Sequence, residues 1–138
     1  MKVYKFGGAS VRNAAGVRNL AHIVEGEQNL FIIVSAMGKT TNALERVFTA
    51  MQNAEKAVAH KEIDEIVAYH AEIINDLWGE PVELEEVNAL FAELRKIVDE
   101  TLYRTQDAEL WYDTIVAFGE LISTTIISKY LNHAGLRN

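Results

Sequence analysis

Residues 2–6 (KVYKF) form a short apolar-rich run ending at Gly7 and Gly8, after which Val17, Leu20, Ala21 and Val24 recur at helical spacing as far as Gly26. This reads as strand, glycine turn, helix. Residues 30–36 (LFIIVSA) are continuously apolar and rich in β-branched side chains, the pattern of a parallel strand covered on both faces. Two such strands joined by a helix predict a right-handed βαβ unit. Past a loop at 37–40, Leu44, Val47, Phe48 and Met51 mark a second helix. Ile63, Ile66, Val67, Ile74 and Leu77 define a third, stopped at Trp78-Gly79-Glu80-Pro81 by the only proline. Leu84, Val87, Phe91, Leu94 and Val98 define a fourth. Trp111, Ile115, Phe118, Ile122, Ile126 and Tyr130 define a last helix that ends near residues 132–135, with Gly119 as a candidate bend. Two strands make a poor sheet, since a typical one has about four to six. The pattern is therefore that of an incomplete α/β domain.

Composition narrows the class. At 138 residues, 49% of them hydrophobic, the chain suits a single domain or a piece of one. The absence of cysteine removes disulfides, thiolate nucleophiles and Cys-bound zinc, and makes the cytoplasm the expected location. The longest apolar run, residues 30–36, is far too short to cross a bilayer, so no membrane partner is expected. The net charge of -7 is uneven. Residues 1–52 carry six Lys and Arg against three acids, and residues 53–110 five against fifteen. A phosphate-handling end followed by acidic helices fits this asymmetry, although solvated helix surfaces account for the acidic part equally well. No basic stripe with interleaved aromatics is present, so no nucleic-acid partner is expected.

Three segments carry chemistry. In Lys5-Phe6-Gly7-Gly8-Ala9-Ser10, at a strand's carboxyl end, paired glycines let backbone N–H groups converge on phosphate oxygens, Lys5 adds a mobile positive charge and Ser10 a hydroxyl. A plain glycine turn with a surface lysine and a helix-capping serine has the same composition. Neither the G-x-G-x-x-G fingerprint nor a Walker A loop is present: Ile33 stands where the latter needs glycine before Gly38-Lys39-Thr40. In the second segment, residues 34–42 (VSAMGKTTN), hydroxyls of Ser35, Thr40 and Thr41 and the N–H groups of a helix start suit a carboxylate or phosphate, while Thr40 or Thr41 as a simple cap is the structural alternative. In the third, residues 118–124 (FGELIST), Glu120 lies in an apolar helical stretch and calls for a partner, either a ligand ammonium or a protein cation.

KFGGAS, VSAMGKTTN and FGELIST, in this order and at these separations, resemble the motifs of the aspartokinases, members of the amino-acid kinase family, and the resemblance covers essentially the whole chain. It implies an α/β fold, a three-layer αβα sandwich of the amino-acid kinase type with a mainly parallel sheet, of which residues 1–138 form only the helix-rich N-terminal part. The implied activity is transfer of the γ-phosphoryl group of ATP, as its Mg²⁺ complex, to the β-carboxylate of L-aspartate, giving 4-phospho-L-aspartate for lysine, threonine and methionine biosynthesis. By this resemblance Lys5 contacts the phosphates and stabilises the transferred group, and Gly7, Gly8 and Ser10 line the phosphate site. Ser35, Thr41 and Glu120 would contact aspartate, with Glu120 suited to its α-ammonium group. No tightly bound protein metal is implied, and a homo-oligomer is expected.

Ala9 departs from the Thr or Ser that relatives often carry there. The chain also stops before the family's Gly-rich Ser-Asp segment, its aspartate-binding arginine, the adenine and ribose site and the ACT domains, so the fragment alone is expected to be inactive. Kinases of the same fold acting on glutamate, acetylglutamate or UMP, and a non-catalytic oligomerising fragment, are the alternatives. His22, His60, His70 and His133 match no metal-ligand spacing, and His70 falls on an apolar helix face. The carboxylates between residues 55 and 109 fit solvated helix faces, and Trp78 and Trp111 fit core or interface positions.

Overall fold

The computed structural model describes residues 1–101 and 107–138. Strands β1 (Lys2–Phe6) and β2 (Leu30–Val34) pair in parallel, in the register Lys2–Leu30 to Phe6–Val34, with helix α1 (Ala14–Val24) between them. Among the described residues α2 (Thr40–Gln52), α3 (Lys56–Trp78), α4 (Glu85–Glu100) and α5 (Ala108–His133) follow.

The element ends have local causes. Asn13 caps α1, its Oδ1 accepting the N–H of Gly16 at 2.9 Å. Ser10 is therefore not the helix cap, and α1 starts later than a Ser10 cap would place it. Helix α3 ends at Gly79, which takes a left-handed φ of 73°, two residues ahead of Pro81. Glycine, not proline, sets that stop.

The helices pack on one side of the sheet. Tyr4, Phe6, Leu30 and Ile32 turn toward a core that includes Val11, Leu20, Met37, Leu44, Ile63, Leu94, Ile115 and Ile122. Each such large side chain stabilises the fold by about 1.5–3 kcal/mol when fully buried. Helix α2 packs against both α3 and α5, and α4 bridges the same two helices. The opposite sheet face is open, with Val3 56%, Phe31 55% and Ile33 41% exposed. Of the two layers expected to cover β2, the described residues supply one.

Helix α5 also departs from expectation. It is long and apolar enough to cross a bilayer by length and composition. Its Ile115, Phe118, Ile122, Ile126 and Leu131 are nevertheless buried against the other helices, as in the core helix of a folded domain. It runs unbroken through Gly119, and that glycine serves close packing.

Candidate active site

The carboxyl ends of β1 and β2 bring the three motif segments together. After β1 the chain turns tightly, the N–H of Ser10 donating to Gly7 O at 3.0 Å and that of Val11 to Gly8 O at 3.3 Å. Gly8 O also accepts the N–H of Gly38 at 3.0 Å, tying the first segment to the second. A Cβ on Gly8 would stand 2.7 Å from Gly38 O and 2.9 Å from Ala36 O, so no side chain fits at this crossing. One residue beyond β2, the N–H of Ser35 donates to Phe6 O at 3.0 Å. The third segment closes on the second. Ser123, fully buried, donates its hydroxyl to Ser35 O at 2.8 Å, and a Cβ on Gly119 would meet the Cβ of Ala36 at 2.8 Å.

Glu120 is held between these two anchors, on the turn of α5 that carries Gly119 and Ser123. It is exposed and makes no ion pair among the described residues. Of the two partners expected for it, a ligand ammonium or a protein cation, the described residues supply no cation. Lys5 is also exposed and without an ion pair among the described residues, on the open sheet face beside Ile33. Gly7 and Ser10 lie in the turn, accessible to solvent.

The hydroxyls at the start of α2 divide. Thr40 is buried and donates its hydroxyl to Met37 O at 2.6 Å, whereas Thr41 is exposed. Neither is the N-cap: that position is Lys39, and no side chain caps the helix. By helix geometry the N–H groups of Thr41 and Asn42 lack intrahelical acceptors and carry the positive end of the helix dipole. The glycine turn, the start of α2 and the Gly119–Ser123 turn of α5 thus meet at the carboxyl ends of β1 and β2, with Lys5, Thr41 and Glu120 exposed. Ala36 and Ser123 carried no reading of their own in the sequence, and Gly38 and Gly119 were weighed only for a Walker A loop and a helix bend. They lie inside the motif segments, but their part is to let these segments touch, and small size was the only signal.

Among the described residues no group of three or more His, Cys, Asp or Glu gathers to hold a metal ion. His70 is fully buried, its Nδ1 against Ile66 O at 2.7 Å, and His60 pairs with Asp99 at 2.6 Å.

A parallel β-α-β unit with a glycine turn and a helix start at its carboxyl edge defines an α/β protein of the kind whose ligands bind at that edge. The sequence profile of the amino acid kinase family matches residues 1–138, and the chain belongs to that family. Its relatives include aspartokinase 1, chloroplastic, of Arabidopsis thaliana, 33% identical over 98% of this chain and 24% of the relative. The aspartokinase of Chlamydia trachomatis is 32% identical over 93% of this chain and 27% of the relative. The chain spans about a quarter of the length of these proteins. E. coli aspartokinase III in complex with aspartate and ADP superposes with a TM-score of 0.78 at 25% identity, over 98% of this chain and 29% of that one. The same enzyme with lysine and aspartate gives 0.80 at 24% identity, over 99% and 30%, a likeness of fold. The helix-rich αβ arrangement with a small parallel sheet is that of the amino-acid kinase fold.

Proposed function

We propose that this chain is the N-terminal part of an aspartokinase catalytic domain, which transfers the γ-phosphoryl group of ATP to the β-carboxylate of L-aspartate and yields 4-phospho-L-aspartate. The observation that carries this reading is the convergence of the three segments through the Gly8–Gly38, Gly119–Ala36 and Ser123–Ser35 contacts. The relatives' names, and the aspartate and ADP held by the E. coli enzyme, support the choice of substrates. In this reading Gly7, Gly8 and Ser10 cradle phosphate oxygens, and Lys5 neutralises charge that grows on the transferred group. Ser35, Thr41 and Glu120 orient aspartate, Glu120 accepting from its α-ammonium group. The acceptor carboxylate is already an anion, so no general base has to create the nucleophile. Rate then comes from in-line alignment and charge neutralisation. Mg²⁺ arrives with ATP and lowers the phosphates' negative charge. Lysine, threonine and methionine biosynthesis and a cytoplasmic site of action belong to the same reading.

The test is Lys5→Ala in the full-length protein, with aspartyl phosphate trapped as the hydroxamate. Turnover should fall by about a hundredfold or more while the aspartate KM changes little, because Lys5 acts on the transition state. A rise in KM alone would contradict this role. Turnover with glutamate, acetylglutamate or UMP in place of aspartate would overturn the substrate assignment.

A further inference from the structure

A second cleft, of about 490 Å³, opens between the segment before α1, the start of α2 and the middle of α3. It contains none of the residues assigned above to phosphate or aspartate. Its lining carries Arg12, Lys39 and Arg46 against the single acid Glu65, an excess of positive charge in a chain of net charge -7. Arg46 is taken up by Glu62, at 3.2 Å. Arg12 and Lys39 make no ion pair among the described residues. The wall between the charges is apolar: Ala43, Ile66 and the ring of Tyr69. The rim is braced, because the Tyr69 hydroxyl donates to the carbonyl oxygen of Arg12 and ties α3 to the chain ahead of α1. Burial pushes the Tyr69 phenol up, which keeps that donor protonated.

Two unpaired cations beside an apolar wall, in a cavity large enough for a small molecule, are complementary to an amphipathic anion. We propose that this cleft binds a small organic anion, a carboxylate or phosphate monoester, with its charge between Arg12 and Lys39 and its apolar body on Ala43, Ile66 and Tyr69. The bound group also lies against Gly38, whose N–H is bonded to Gly8 O. The site stands independently of the kinase assignment, since it shares no ligand-contacting side chain with it.

The experiment titrates the isotope-labelled full-length protein with phenyl phosphate and follows the amide resonances. Saturable shifts are expected at Gly38, Lys39, Ala43, Ile66 and Tyr69. Inorganic phosphate, which has no apolar body, should bind there at least about tenfold more weakly. Arg12→Gln with Lys39→Gln should weaken phenyl phosphate by about tenfold or more, and Glu65→Gln should tighten it, because the only opposing charge is gone. Lys39→Gln alone alters an exposed side chain that makes no ion pair among the described residues, so it keeps the fold and must still weaken binding. Lys5→Ala should leave the affinity unchanged. Shifts confined to residues 7–10 and lost in Lys5→Ala, or an affinity indifferent to Arg12, Lys39 and Glu65, would overturn the proposal.

Discussion

Glu120 owes its position to its neighbours. Gly119 lets α5 approach Ala36 without a Cβ in the way, and Ser123 fixes the following turn to Ser35, so the carboxylate between them lies near the sheet edge and makes no ion pair among the described residues. A carboxylate so held, and left free, is suited to a ligand's ammonium group. We expect Glu120→Gln in the full-length protein to raise the aspartate KM by about tenfold or more and leave the ATP KM nearly unchanged, measured by steady-state kinetics with each substrate varied. An unmoved aspartate KM would assign the carboxylate another role. The types of residue at this site were legible in the sequence as paired glycines, a lysine and hydroxyls at strand ends, a set that a plain glycine turn and helix caps fit equally well. Their mutual contacts were not. Ser123 and Ser35 lie 88 positions apart, and nothing local in either segment names the other. Adjacent threonines pose the same difficulty: which of Thr40 and Thr41 turns inward depends on the residue at which α2 begins, and sequence periodicity leaves that uncertain by a few positions.

At the scale of elements, helical periodicity located every helix core, because each helix buries one stripe. The ends were set by single residues that periodicity does not weigh, as Gly79 shows. Ala54, between α2 and α3, is a further case: it adopts a φ of 55°, where a Cβ costs about 1–2 kcal/mol. Ala54→Gly should relieve this and, after the glycine's greater unfolded-state entropy, raise stability by up to about 1 kcal/mol in chemical denaturation. A loss of stability would show that the methyl group packs favourably. Helix α3 carries a second test at His70. Its Nδ1 meets Ile66 O, its Nε2 has no partner among the described residues, and its ring lies edge-on to Tyr69 and Phe91 at the α3–α4 junction. Burial lowers its pKa below 6.5, with the Ile66 bond opposing. The unfolded chain then takes up the proton first. The contribution of neutral His70 is present above about pH 6.5 and is lost as pH falls through that value toward the folded pKa, at up to about 1.4 kcal/mol per pH unit. His70→Phe should flatten the stability difference between pH 7.5 and 5.5 that the natural chain shows. Equal slopes in both proteins would mean that His70 stays neutral, or charges equally, in both states.

For the molecule as a whole, the sheet that the apolar run at residues 30–36 predicted is present, and the described residues cover one of its two faces. Continuous apolarity signals two covered faces, but helices lie against only one of them here, so Val3, Phe31 and Ile33 meet water around Lys5. Both strands are also edges, since the described sheet has two strands, and each offers an unpaired row of N–H and C=O groups. Leu121 and Leu110 on α5 add further exposed apolar surface, 50% and 64% exposed. One lysine among these side chains is weak protection, because charge blunts a sheet edge only when it interrupts the apolar row. In a purified solution the only available cover is a second copy. We therefore expect the 138-residue chain to self-associate through the open sheet face, with no measurable aspartokinase turnover of its own. Size-exclusion chromatography with light scattering, at concentrations on the order of micromolar to millimolar, would show mass rising with concentration. Phe31→Lys with Ile33→Lys should return the chain to a monomer, since neither side chain contributes to the core and each would place a cation beside Lys5. Leu121→Lys, on α5, should leave association intact. A natural chain that runs as a monomer throughout this range, or that turns over aspartate and ATP within the usual enzymatic span of about 1 to 1000 per second, would overturn the prediction.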